Sequence, residues 1–380
     1  MAEVHGTCDE RFTAVRSLLR DNLDSGADLG ASLVVDIDGE LAVDLWGGFR
    51  DEARTAAWTA DTITNVWSST KTVTSLAALM LVDRGELDPA APVAKYWPEF
   101  AANGKQDVTV SHLMSHSSGV SGLEHPAVLA DLYDWDQATA RMAAQPPWWP
   151  PGTASGYHAL NYGHLVGEVV RRITGQPLQQ FVAAEIAGPL GADFQIGAAE
   201  QDWPRIADVV PPPPLRFDLS RLDPASPAFK TVTGPVADAA AANTPEWRRA
   251  DIGAANGHGN ARSVARVMSV LARGGEVDGV RLLSPATIDL IFRDQINGTD
   301  LVLGVPLRLG LGYGLPRREV LPWAVDEKVC FWGGWGGSVI IMDASRQMTI
   351  SYMMNKMGAG VVGSARSSAY TQAIYRAVRG

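Results

Sequence analysis

Ser68 is the one serine in the chain that is followed three residues later by a lysine, Lys71. Residues three apart lie on one face of a helix, so an ammonium or amine at Lys71 can reach the Ser68 hydroxyl one turn away. A serine hydroxyl is a weak nucleophile until a neighbouring group takes its proton, and burial or the positive end of a helix lowers a lysine's pKa toward that task. The same spacing also describes a polar helix cap followed by a solvated lysine. Two further segments carry groups that would complete such a site. In Pro150-Pro151-Gly152-Thr153-Ala154-Ser155-Gly156-Tyr157-His158-Ala159-Leu160-Asn161, Tyr157 stands where a loop enters a helix, and a phenol near a lysine cation can be held with a depressed pKa and pass a proton. A tyrosine that only packs at a helix start reads the same way. In Phe331-Trp332-Gly333-Gly334-Trp335-Gly336-Gly337-Ser338 the glycines permit close approach of another backbone. A strand edge there can present a backbone N–H to a developing oxyanion, with the Ser68 N–H as second donor. A glycine-rich turn carrying two core tryptophans fits the pattern as well.

The elements that must hold these groups are legible in outline. Phe12, Val15, Leu18, Leu19 and Leu23 recur at helical spacing over Asp9 to Leu23, and the runs Ala31–Ile37 and Leu41–Trp46 flank Asp38-Gly39, a hairpin turn. Near the other end, Ser338–Met342 and Met348–Met354 flank Asp343-Ala344-Ser345-Arg346, and Tyr370, Ile374 and Val378 share one face of a last helix. Between them, helices are predicted over Thr72–Arg84, with Val73, Leu76, Ala77 and Met80 buried, over Val110–Ser115, Asn161–Thr174 and Leu178–Ile186. This gives an α/β fold in two parts. A sheet domain is built from both chain ends, residues 1–66 and 265–380, and a mainly helical domain is inserted as 67–264, with the site in the cleft. Residues 201–256 read as a long proline-rich loop, with Pro211 to Pro214 in a row, which is either mobile or a flap over the substrate.

The net charge of −10 with no basic cluster excludes nucleic acid and anionic membranes as partners, and no apolar run approaches the roughly twenty residues of a membrane span. The polar start, Met1 to Arg11, lacks the pattern of an export signal, so the chain is expected in the cytoplasm. Cys8 and Cys330 have no metal-ligand spacing and read as thiols. No Gly-x-Ser-x-Gly elbow, zinc motif or phosphate-binding loop occurs, so neither metal nor cofactor is expected. Most histidines read as structural, with His258 a candidate for the edge of the site, and Trp148 and Trp149 are candidates for an acyl pocket or for core packing.

The three segments together resemble the serine β-lactamase and penicillin-binding-protein superfamily in its class C-like branch, most closely the family VIII carboxylesterases. Leu45-Trp46-Gly47-Gly48, His112-Leu113-Met114-Ser115-His116-Ser117-Ser118-Gly119 and Gly188-Pro189-Leu190-Gly191 agree with the same family. The resemblance implies a β-lactamase-like fold with a mixed, mainly antiparallel sheet flanked by helices. It makes Ser68 the nucleophile, Lys71 and Tyr157 the proton carriers and the Trp335 N–H the second oxyanion donor, with Trp332, Gly333, Gly334, Asn161 and His158 around a small acyl substrate. Two departures from the β-lactamase pattern stand out. Tyr157 is followed by His158 and Ala159, with Asn161 two places beyond the expected asparagine, and Trp332-Gly333-Gly334 replaces Lys-Thr-Gly, removing a cation for a substrate carboxylate. The implied activity is therefore hydrolysis of neutral, fairly apolar esters. Acyl transfer to an amine or alcohol on the same scaffold, β-lactam or D-amino-acid peptide hydrolysis, and a non-catalytic binding module are the alternatives.

Overall fold

The computed structural model describes residues 1–213, 221–319, 321, 328–361 and 363–379. Part of the proline-rich stretch, from Pro214 to Ser220, lies outside the described residues.

Among the described residues, the centre of the fold is a nine-stranded sheet. Its strands are β1 (Val4–Cys8), β2 (Gly30–Ile37), β3 (Glu40–Gly48), β4 (Ile296–Thr299), β5 (Pro306–Leu309), β6 (Gly314–Leu315), β7 (Val329–Gly333), β8 (Val339–Asp343) and β9 (Met348–Met354). They lie in the order β1-β3-β2-β9-β8-β7-β6-β5-β4. Every neighbouring pair is antiparallel. The two predicted hairpins are β2–β3, turning through Asp38 and Gly39 at positive φ, and β8–β9. The pairing of β2 with β9 joins the two ends of the chain in mid-sheet. Short β4 to β6 and the polar edge strand β1 carry too little alternation to be read from the sequence.

The inner strands are apolar on both sides because both faces are covered. Leu33, Val35, Ile341 and Ile350 pack with Val15, Leu19, Tyr370 and Ile374 of the terminal helices Thr13–Ser25 and Ala365–Arg379. Val34, Ile340, Met342 and Met353 face the other way, into a core with Val264 and Met268 of the helix Ala261–Ala272. The expected cut at 264/265 would fall within that helix.

The helix Thr70–Asp83 runs through the main core, and every residue from Thr70 to Leu81 is buried. The sequence predicted one buried face; on the other faces the hydroxyl residues are each satisfied by a backbone carbonyl. Thr70 bonds the Trp67 carbonyl, Thr72 that of Ser69, Thr74 that of Gly253 and Ser75 that of Lys71. A polar helix can be buried when each hydroxyl finds a backbone acceptor. The helix Asn161–Thr174 ends at Gly175 in the left-handed conformation, as predicted. The predicted helix Leu178–Ile186 is α-helical only over Leu178–Phe181 and widens into a π turn over Val182–Ala187. Among the described residues of 201–256 the chain is more ordered than a loop, with short helices Pro227–Thr233 and Pro245–Arg249. Both begin on a hydroxyl cap followed by proline, a start too short for periodicity to register. No helix among the described residues is long and apolar enough to cross a membrane.

Candidate active site

Ser68 sits where the short strand Ile63–Asn65 turns, through Val66 and a 3-10 turn at Trp67–Ser69, into the helix Thr70–Asp83. Trp67 makes that turn with φ at +51°. A bulky residue in this region costs about 1–3 kcal/mol and persists only where its surroundings hold it. Here the indole packs edge-on against Trp335 at 5.1 Å and tilted against Trp247 at 5.6 Å. Thr70 Oγ1 also grips the Trp67 carbonyl at 2.5 Å. Nothing in the residue's type announces this role.

Lys71 Nζ lies 3.1 Å from Ser68 Oγ, and donates to the backbone carbonyls of Ala159 at 2.7 Å and Ala254 at 2.9 Å. No carboxylate pairs with it among the described residues. Burial therefore acts unopposed and holds the amine well below the ordinary lysine range. The Ala254 carbonyl is placed by the strand Gly257–Gly259, which pairs with Ile63–Asn65, and by the bond from Asn65 Nδ2 to the Ala255 carbonyl. Gly163 lets the helix Asn161–Thr174 close on the same segment, since a Cβ there would stand 2.4 Å from the Ala254 nitrogen.

Tyr157 also reaches the nucleophile, its Oη donating to Ser68 Oγ at 2.6 Å. Its backbone N–H bonds Asp300 Oδ1 at 3.1 Å, and the neighbouring His158 N–H bonds His116 Nδ1 at 3.1 Å. The expected depression of the phenol is corrected by the structure. Burial pushes Tyr157 up to about 12, with the bond to Ser68 pulling the other way. The reason is burial of the phenol, which the charge of Asp300 reinforces. Lys71 Nζ lies 4.8 Å from the centre of the phenol ring.

A cavity of about 330 Å³ opens onto Ser68 and Tyr157. Ser68, Tyr157, Trp335 and Asn161 line it, with the apolar groups Trp67, Leu129, Leu160, Val232, Pro235, Val236 and Trp247. Asp238 is the one charged residue on its wall among the described residues. Residues between 231 and 238 of the proline-rich region thus form one side of the cavity. The Trp335 backbone N–H has no acceptor among the described residues. Gly334 brings that turn against the nucleophile loop, where a Cβ would come within 2.6 Å of the Val66 carbonyl, and Ser338 Oγ bonds the same carbonyl at 3.1 Å.

The remaining expected residues lie behind the wall. Gly333 and Gly334 are buried in and beside β7 and do not line the cavity. Trp332, also off the wall, packs its indole on Tyr157 at 5.6 Å and stacks on His116 at 5.6 Å, so it supports the phenol. His158 does not face substrate: its ring bonds Ser118 Oγ and the Gly156 carbonyl, both at 2.6 Å, and burial holds its pKa down to about 4. His258 is fully buried against the Asn256 carbonyl and off the wall. Trp148 reaches Glu124 and Trp149 the Ala154 carbonyl, and neither lines the cavity.

The chain matches known proteins along nearly its whole length. The profile of the beta-lactamase family matches residues 15–373. The chain belongs to that family. It is 36% identical over 365 residues to the esterase/beta-lactamase LipL of Mycobacterium tuberculosis, covering 93% of this chain and 83% of that protein. The crystal structure of a family VIII carboxylesterase superposes with a TM-score of 0.92 at 39% identity, covering 99% of this chain and 100% of that one. A penicillin-binding-protein homologue from Caulobacter crescentus superposes at 0.90 with 36% identity, over 99% of this chain and 100% of that one. At the level of the beta-lactamase family, the chain is a serine hydrolase.

Proposed function

We propose that this beta-lactamase-family chain hydrolyses carboxylic esters of neutral, apolar acids through an acyl-enzyme on Ser68. The observation that carries the reading is the pair of contacts on Ser68 Oγ, Lys71 Nζ at 3.1 Å and Tyr157 Oη at 2.6 Å. A neutral amine has two N–H bonds and one lone pair. With the N–H bonds spent on the Ala159 and Ala254 carbonyls, the lone pair is left for the Ser68 proton. As Oγ attacks the ester carbonyl, the proton passes to Lys71, and the oxyanion rests on the N–H groups of Ser68 and Trp335. Tyr157 gives its proton to the departing alkoxide and is re-protonated from the Lys71 ammonium. Water then attacks the acyl-enzyme by the same steps in reverse, releasing the acid and restoring Ser68.

The apolar wall and the lack of any cation on it among the described residues favour neutral acyl groups over β-lactams, whose carboxylate would meet no counter-charge there. An apolar site that keeps water scarce also supports transfer of the acyl group to an added alcohol. The test is reaction with a fluorophosphonate and turnover of p-nitrophenyl butyrate. The wild type is expected to hydrolyse the ester and carry one phosphonate on the Ser68 peptide, and Ser68→Ala to do neither. Labelling that survives in Ser68→Ala overturns the assignment.

A further inference from the structure

Asp300 lies in the loop between β4 and β5, 143 residues from Tyr157 in sequence, and is 1% exposed. A single carboxylate oxygen, Oδ1, accepts three backbone N–H groups: Val302 and Leu303 of its own loop, each at 2.9 Å, and Tyr157 at 3.1 Å. The first two lock the carboxylate into the loop; the third reaches out to the catalytic segment. A second tie runs alongside, from the Leu301 N–H to the Ser155 carbonyl at 2.8 Å. The loop is itself closed by the bonds from the Asp300 N–H to the Val305 carbonyl and from the Gly304 N–H to the Asp300 carbonyl, both 2.9 Å. Oδ2 finds no partner among the described residues. Capping the loop needs only the Val302 and Leu303 bonds; the bond to the Tyr157 N–H is the one that leaves the loop and ties it to the catalytic segment.

We propose that Asp300 is a positioning residue for Tyr157: by holding the backbone N–H of that residue from the sheet side, it sets the depth of the phenol against Ser68 and so governs proton delivery to the leaving alcohol. This rests on the acyl-enzyme reading above. The 2.6 Å contact between Tyr157 Oη and Ser68 Oγ leaves little slack, and displacement of a reacting group by about 1 Å can cost on the order of a hundredfold in rate. The negative charge of Asp300 also disfavours loss of the phenolic proton, in the same sense as burial.

A misplaced proton donor betrays itself through the leaving group. p-Nitrophenolate departs without help, whereas ethoxide must be protonated as it leaves. The measurement is kcat/KM, which reports acylation, for p-nitrophenyl butyrate and ethyl butyrate, two esters of one acid. For Asp300→Ala the expected loss is about tenfold or less on the p-nitrophenyl ester and about a hundredfold or more on the ethyl ester. Asp300→Asn keeps the Oδ1 acceptor and is expected within a few-fold of wild type on both. Asp300→Glu, which retains the charge but moves the acceptor by one methylene, is expected to behave as Asp300→Ala and serves if the alanine variant does not fold. Equal losses on the two esters, or an Asp300→Asn as impaired as Asp300→Glu, overturn the proposal. Tyr157→Phe is the reference: if it shows no dependence on the leaving group, the part given to Tyr157 as proton donor falls and not merely its placement by Asp300, while the acyl-enzyme itself is judged by the Ser68→Ala labelling.

Discussion

Replacing Lys71 by methionine tests whether the lysine is neutral in the folded protein, on which its part as a base depends. An unfolded lysine titrates near about 10.4. Burial without a counter-charge lowers the folded value well below this. Between the folded value and about 10.4 the unfolded chain binds one proton at this site that the native chain does not. Stability then rises with pH by about 1.4 kcal/mol per unit, and the contribution is flat below the folded value and above the unfolded one. Methionine removes the proton site. It also leaves the carbonyls of Ala159 and Ala254 without donors, a cost of about 1–3 kcal/mol each that does not change with pH. The slope, not the offset, is therefore diagnostic. Urea unfolding of wild type and Lys71→Met, followed by tryptophan fluorescence at pH 7.5, 8.5 and 9.5, should give a stability difference that grows in favour of wild type by about 1.4 kcal/mol per unit. Lys105, lowered by burial to about 8, is present in both proteins and drops out of the difference. Ester turnover in the variant should fall by about 10²–10⁴. A stability difference that stays constant over this range would mean that Lys71 keeps its proton in the fold, and a charged Lys71 cannot accept the proton of Ser68.

Two other substitutions probe how the site is held and shaped. Gly163→Ala places a methyl 2.4 Å from the Ala254 nitrogen, so the segment carrying a carbonyl partner of Lys71 must withdraw. The expected result is a loss of about 1–3 kcal/mol in urea unfolding together with a fall in kcat, whereas the control Gly298→Ala, with open space around it, leaves both unchanged. Val236 is 59% exposed yet lines the cavity, so Val236→Trp should leave stability within about 0.5 kcal/mol while lowering the octanoate-to-acetate ratio of kcat/KM about tenfold. An unchanged ratio would show that the acyl chain does not run along this wall.

Local features of the chain were strong guides wherever the information is local. The interval from Ser68 to Lys71 spans one helical turn, so the contact between their side chains follows from helix geometry. The β2–β3 hairpin follows from Asp38-Gly39, and the end of the helix Asn161–Thr174 from Gly175. The widening of the chain after Phe181 and the short helices in 227–249 were not legible, because each spans too few residues for a period to show. Trp332, Trp148, Trp149 and His158 illustrate a second limit: residue type says that a ring will be buried but not which side of a wall it will occupy.

The sequence by itself determined which groups were available: one Ser-x-x-Lys, one Tyr157 at a loop-to-helix junction, and one glycine-rich strand end, in a chain whose two termini both supply strands. Only the tertiary structure decided their state. Lys71 is held toward its neutral form because the groups that meet it are backbone carbonyls, from Ala159 and Ala254, which are 88 and 183 residues away and carry no signature in residue type. The same holds for the phenol, whose raised pKa follows from burial and from a carboxylate contributed by Asp300. Proton affinity is set by solvent exclusion and by the charges within a few ångströms, and both exist only once distant segments have packed together.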